Sequence, residues 1–164
     1  MGEPSVYIQP ARSEGDLRAA VDMFKAYARA LGIDLTFQDF DSELSTMPGK
    51  YAPPSGELLL ARHDSTHGVV GAVGLRPFQA PDICEMKRLY VPPAGRGLGT
   101  GRALVQAVIA VARKQGYKEM RLDTLASMKP AQRLYEQAGF VEVDKYYSTP
   151  IEGTKFMALD LRRE

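Results

Sequence analysis

The sequence predicts a single α/β domain in the order βααβββαβαββ, a mixed parallel and antiparallel sheet flanked by helices. Three observations carry this. Three β-like runs follow one another at residues 57–62, 69–75 and 83–91, separated only by turn residues at 63–68 and 77–82, which is the signature of an antiparallel meander. Beyond residue 91 strands alternate with amphipathic helices, which brings parallel pairing into the same sheet. The length of 164 residues, 45% of them hydrophobic, suits one core without disulfide or metal support.

Each element has a local cause. A short β-prone run at 6–9 precedes Ser13, with Asp16 three residues later as a helix-start signal. Leu17, Val21, Phe24, Ala28 and Leu31 then recur at helical spacing, and Gly32 is the stop. A shorter helix is expected over 39–46, followed by the breakers Pro48, Gly49, Pro53, Pro54 and Gly56, a loop within one domain. After the meander, a helix over 101–115 places Leu104, Val108, Val111 and Ala112 on one face, and Gly116 closes it. A strand at 119–123, a helix at 127–138 and strands at 140–143 and 155–161 complete the order.

Composition excludes several function classes. Twenty-one Lys and Arg against twenty Asp and Glu leave a formal charge of +1, so no global field exists to grip a nucleic acid or an anionic membrane. The first ten residues lack the basic flank and apolar core of a secretory signal, and the longest largely apolar run, 103–112, falls short of a bilayer span. One cysteine, Cys84, forms no internal disulfide, and a reducing, cytoplasmic setting is expected. His63 and His67 read as a polar hairpin turn, Cys84 as a buried structural thiol, and no GxSxG elbow is present, so neither a metal nor a covalent nucleophile is expected.

The most informative stretch is Arg96, Gly97, Leu98, Gly99, Thr100, Gly101, between a strand and an amphipathic helix. Glycines let backbone approach a ligand, and the free N–H groups of a helix start favour phosphate oxygens. GxxxxGK[ST] has no match, and Thr100 and Arg102 break GxGxxG, which disfavours a P-loop or Rossmann site. A tight structural turn is the plainer alternative.

With its neighbours, this stretch resembles the GCN5-related N-acetyltransferase (GNAT) superfamily. Arg96, Gly99 and Gly101 meet the family's central pattern of Arg or Gln, two residues, Gly, one residue, Gly or Ala. Leu89, Tyr90, Val91, Pro92, Pro93 look like the strand end and proline turn before it, and Leu134, Tyr135, Glu136, Gln137, Ala138, Gly139, Phe140 like the helix-to-strand junction after it. The likeness is strong over 69–143 and weaker at both ends. One departure stands out: Met128 occupies the position, three before Ala131, where many members carry Asn.

The resemblance implies an acetyl-CoA dependent N-acetyltransferase acting by direct attack on a primary amine in a ternary complex. Leu89, Tyr90, Val91, Arg96, Gly97, Leu98, Gly99, Thr100, Gly101 and Arg102 are the implied cofactor contacts, with the Leu89 N–H as oxyanion donor. Lys129 and Arg133 are further candidates for the nucleotide phosphate, solvated surface charge being the plainer reading. Tyr135 is the implied general acid, or an aromatic packing residue, and Glu85 the implied base, or a strand carboxylate paired with Lys87 or Arg88. Strict alternation puts Glu85, Leu89 and Val91 on one face, whereas a β-bulge, frequent here in the family, changes the phase. By analogy the acceptor cleft lies between residues 32–41 and 146–153, with Phe37, Phe40, Tyr146 and Tyr147 as its binding residues and Asp34, Asp39 and Asp41 nearby. The acceptor, small molecule or peptide, stays open, and dimerisation through an edge strand or the final loop is compatible with the pattern. The competing expectation is a non-catalytic acyl-CoA sensor or regulatory module, for which Met128 speaks.

Overall fold

A computed structural model describes residues 5–32, 35, 39–79 and 81–162. The elements are β1 (Val6–Pro10), α1 (Glu14–Leu31), α2 (Phe40–Ser45), β2 (Glu57–His63), β3 (Val69–Gln79), β4 (Ile83–Tyr90), α3 (Thr100–Lys114), β5 (Glu119–Thr124), α4 (Lys129–Ala138), β6 (Val141–Val143) and β7 (Lys155–Asp160). They form one seven-stranded sheet in the order β1-β2-β3-β4-β5-β7-β6, antiparallel except for β4 beside β5.

Local chemistry fixes the helix ends. The Ser13 hydroxyl accepts from the Asp16 N–H at 3.0 Å while the Asp16 carboxylate accepts from the Ser13 N–H, a reciprocal capping box. Gly32, at φ 65°, closes α1 with its N–H on the Ala28 and Arg29 carbonyls.

The sheet is buried on both faces, which explains the continuous apolar run of β2. Leu59 and Ala61 join Val73, Leu104, Val108, Met120 and Leu122 beneath α3 and α4. Leu58 and Leu60 alternate to the opposite face and pack with Phe24 of α1, Phe40 of α2 and Tyr51.

Two boundaries differ from expectation by more than one residue. β3 runs on to Gln79 because Pro77 falls at an irregularity of the β3–β4 ladder, where a missing N–H is tolerated. α4 starts at Lys129 rather than at 127, with residues 126 and 127 forming a turn, Met128 as N-cap and Pro130 in the first turn.

Two irregularities in the centre of the sheet prepare the site. Ala72 pairs with Tyr90 but Gly74 with Lys87, so β4 has an extra residue, and Arg88 takes it up at φ 61°. The bulge therefore replaces strict alternation: Leu89 joins Cys84 and Met86 in the α3/α4 core, opposite Glu85 and Lys87. β4 and β5 pair only at Ile83, Cys84 and Glu85 against Glu119, Met120 and Arg121, and beyond that point they diverge.

Candidate active site

The divergence of β4 and β5 opens a groove of about 640 Å³, walled by Tyr27 and Leu31 of α1, Leu89 and Tyr90 of β4, Val91 just beyond it, and Leu134 of α4. Arg96 and Met128 border it too. It leads inward, past the shared residues Tyr27, Leu89 and Met128, to a throat of about 20 Å³ between the strands. Tyr135, Met86 and Leu122 line the throat from the α4 side of the sheet, and Lys87, Arg88 and Asp123 from the α1 side.

At the outer end, the glycine turn is built for close approach. Gly97 and Gly99 sit at φ 79° and 74°, and a Cβ on either would meet nothing within 4 Å, so the ground beside them is open. Gly99 is the N-cap of α3 and offers no side chain, leaving the first helical N–H groups without a side-chain cap. Not every residue of the motif faces that ground. The buried Thr100 hydroxyl donates to the Gly95 carbonyl at 2.7 Å, and Gly101 is small because a Cβ there would lie 2.8 Å from Leu134 Cδ1. Leu98 is half-buried. Exposed Arg102 borders a separate groove of about 320 Å³ between α3 and α4, with Gln106 and Gln137. Lys129 and Arg133 are exposed on α4. These residues fit a pyrophosphate on the turn and an extended chain along β4.

The inner end carries charge in three ion pairs on the α1 face. Arg88, its side chain 2% exposed, pairs with Glu43 of α2 at 2.8 Å and lies over the rings of Phe40 and Tyr27, at 5.0 and 5.9 Å from their centroids. Lys87 pairs with Asp123 at 3.5 Å, and Arg76 with Glu85 at 3.0 Å. Burial works to raise both Glu43 and Asp123. The Arg88 bond and charge, with the Tyr51 hydroxyl, outweigh it at Glu43, and the Lys87 charge and Tyr147 hydroxyl at Asp123, so both carboxyls lie below their ordinary range. Burial pushes the Tyr135 phenol well above its usual value, keeping it protonated, and its hydroxyl makes no hydrogen bond among the described residues.

The expected site residues are thus divided. Tyr135 faces the throat, and Leu89, Tyr90, Val91 and Arg96 border the groove. Glu85 is 2% exposed and borders neither, its two oxygens held by Arg76 and by the Tyr146 hydroxyl at 2.9 Å. Tyr147 donates to Asp123 at 2.7 Å, so the two tyrosines of the final loop arrive as partners of buried carboxylates. Phe40 is a buried ring beneath Arg88 rather than a groove wall. Asp39 borders a separate polar cavity of about 370 Å³ with Glu43, Lys50, Tyr51 and Arg76, and Asp41 is exposed. Phe37 and Asp34 lie outside the described residues.

Sequence reasoning passed over Asp123, Glu43 and Tyr27, and had Lys87 and Arg88 only as alternative partners of Glu85, which pairs with Arg76 instead. A signal existed for two of them: adjacent cations inside a core strand need buried partners. Cys84 is fully buried, its thiol pushed up to about 12 chiefly by burial. The His63 Nδ1 accepts from turn N–H groups, His67 Nδ1 lies 3.0 Å from the Tyr7 hydroxyl, and no metal-binding cluster occurs among the described residues. No described helix is long and apolar enough to cross a membrane.

The sequence profile of the acetyltransferase (GNAT) family matches residues 18–140. The chain belongs to this family. An uncharacterized N-acetyltransferase of Schizosaccharomyces pombe is 41% identical over 99% of this chain and 100% of its own length. A GNAT acetyltransferase of Staphylococcus aureus has the same fold, with a TM-score of 0.77, 20% identity and 96% and 99% of the two chains covered. An acetyltransferase of Salmonella typhimurium, solved with its cofactor acetyl-CoA, matches at a TM-score of 0.66 and 20% identity, over 98% of this chain and 96% of its own. GNAT enzymes transfer an acyl group from acetyl-CoA, and the groove between β4 and β5 is where this GNAT domain departs from a continuous sheet.

Proposed function

We propose that this GNAT domain transfers an acetyl group from acetyl-CoA to a primary amine by direct attack in a ternary complex. One observation carries the reading: a groove bordered by Arg96 of the glycine turn and by the end of β4 shares Tyr27, Leu89 and Met128 with a throat lined by a phenol and a carboxylate. Gly97, Gly99 and the first N–H groups of α3 would hold the pyrophosphate, and the backbone of Leu89, Tyr90 and Val91 the pantetheine arm. Bound acetyl-CoA supplies a thioester carbonyl open to an amine. The Leu89 N–H follows the bulge and is the candidate donor to the developing oxyanion. Tyr135, kept protonated by burial, donates to the departing thiolate.

Two carboxylates are candidates for receiving the amine. Asp123 borders both the throat and, with Thr124, a slot of about 10 Å³ between the end of α1 and the final loop. Glu85 sits behind Arg76 and Tyr146 and would act through them. An ammonium resists deprotonation, with a pKa near 10.4 in the lysine reference, so its carboxylate partner orients it while one proton passes to solvent, and the second nitrogen proton, released as the amide forms, restores the Tyr135 phenol. Neither the groove nor the throat is bordered by a cysteine or histidine among the described residues, which supports attack without an acyl-enzyme.

Thiol release from acetyl-CoA, measured across amino acids, polyamines and lysine peptides, tests the reading. Release with at least one amine is expected, and none with any of them, together with no binding of coenzyme A, overturns it. Mass unchanged after incubation with acetyl-CoA alone is expected, and an acetylated protein overturns direct attack. Between Asp123→Asn and Glu85→Gln, the variant whose loss steepens as pH falls identifies the carboxylate that receives the amine.

A further inference from the structure

We infer, on the reading that the groove takes acyl-CoA, that Met128 sets the length of the acyl chain this protein accepts. Met128 stands where many family members carry Asn, and the mechanism above gives it no role. It borders both the groove and the throat, so it lies at the point where a thioester passes from one to the other. Its sulfur lies 4.0 Å from the Thr124 hydroxyl, beside the end of β5.

The throat measures about 20 Å³, just above the roughly 10–15 Å³ that one water needs. One methyl-sized group fits, and each further methylene must displace a wall. Most of the walls do not yield. Met86 and Leu122 are 3% and 1% exposed and belong to the core beneath α3 and α4, and the Tyr135 ring packs on Phe140 at 5.9 Å. Lengthwise, the chain runs into Lys87 with Asp123 and Arg88 with Glu43, and separating either buried pair strands a charge. Met128 differs from all of these: it is half-buried, unbranched, outside the core cluster, and placed in the turn before α4. An amide at that position would give the thioester's surroundings a hydrogen-bonding group. The thioether gives them bulk.

Calorimetric titration with coenzyme A, acetyl-CoA and butyryl-CoA tests this without knowledge of the acceptor. The parent protein should bind butyryl-CoA at least about tenfold more weakly than acetyl-CoA, since a single misfitting methylene is worth about 10–200-fold in a tight apolar site. Met128→Ala should bring the two within about threefold of each other, and Met128→Leu, which keeps the bulk, should retain the parental ratio. Equal binding of the two acyl-CoAs by the parent, or an unchanged ratio in Met128→Ala, overturns the assignment while leaving the cofactor reading intact. Failure of the parent to bind coenzyme A itself removes the cofactor reading instead, and the role of Met128 with it. The parental ratio needs no variant, and Met128→Val repeats the second arm if Met128→Ala does not fold.

Discussion

Neutralising one member of the Arg88–Glu43 pair tests how the throat is held. The two side chains are 2% and 9% exposed, and Arg88 cannot discharge by losing its proton. Glu43→Gln therefore takes the paired carboxylate from a buried guanidinium while leaving its ring contacts in place. Removing one partner of a buried pair costs about 3–5 kcal/mol, and the near-complete burial here places Glu43→Gln in that range. Arg88→Met leaves the Glu43 carboxylate with the Tyr51 hydroxyl and the more distant Lys87 charge, and also gives up the contact with the Phe40 ring at 5.0 Å, so its cost is of similar size. The double variant strands no charge and should cost no more than the costlier single change, which makes the coupling at least the cheaper single cost, about 3 kcal/mol or more. Urea unfolding followed by far-UV circular dichroism measures all four corners, the chain having no tryptophan to report on itself. Asp41→Asn, an exposed change at the start of α2, is the neutral control. A loss below about 1 kcal/mol for Glu43→Gln, or two single costs that simply add in the double variant, refutes the claim that this pair anchors α2 to the bulge.

Three further outcomes follow from particular groups. The Cys84 thiol, raised to about 12 in the fold from about 8.5 unfolded, favours the native state fully below pH 8.5 and loses that advantage as pH rises; urea midpoints should show about 2 kcal/mol lost by pH 10, absent in Cys84→Ala, and parallel curves would refute it. Glu43 and Asp123, both held below the ordinary range, favour the fold above about pH 4 and lose that contribution as pH falls through their lowered values, so Asp123→Asn should flatten the acid limb of the stability curve. Tyr135→Phe should leave the unfolding midpoint near parental, because the hydroxyl has no partner among the described residues, while turnover falls by at least tenfold; unchanged turnover would remove the acid role.

The order of elements was legible because each depends on short-range pattern. Ser13 and Asp16 announce a capping box from three residues apart, and Gly32 marks the helix end by the left-handed conformation it alone adopts cheaply. Gly99 was legible for the same reason, since an N-cap at φ 74° without a side chain is a local requirement. Gly101 was misjudged in kind: its smallness serves Leu134, a residue 33 positions away that no spacing rule connects to it. The ion pairs were beyond reach. Glu43 and Arg88 meet because a bulge turns Arg88 toward α1 and α2, and a one-residue change of phase in a strand is decided by its partners rather than by its own sequence.

The two carboxylates of the site make the same point about chemistry. Glu85 stands at the right distance from the glycine motif, but counting along a strand says which face a side chain takes, not what already holds it. Arg76 arrives from β3 and Tyr146 from the final loop, and together they occupy both oxygens of Glu85. Asp123 stands on the neighbouring strand, two residues past the last β4–β5 pairing, and so opens onto the throat because the sheet splits there. A parallel pairing that stops at Glu85 and Arg121 thus does two things with one break: it frees the edge of β4, and it opens the next inward carboxylate of β5 onto the throat, where the proposed function would bring the thioester. Proton chemistry placed at the split, rather than where strands remain paired, is the arrangement by which a sheet can bury its charges and still present one of them to a substrate.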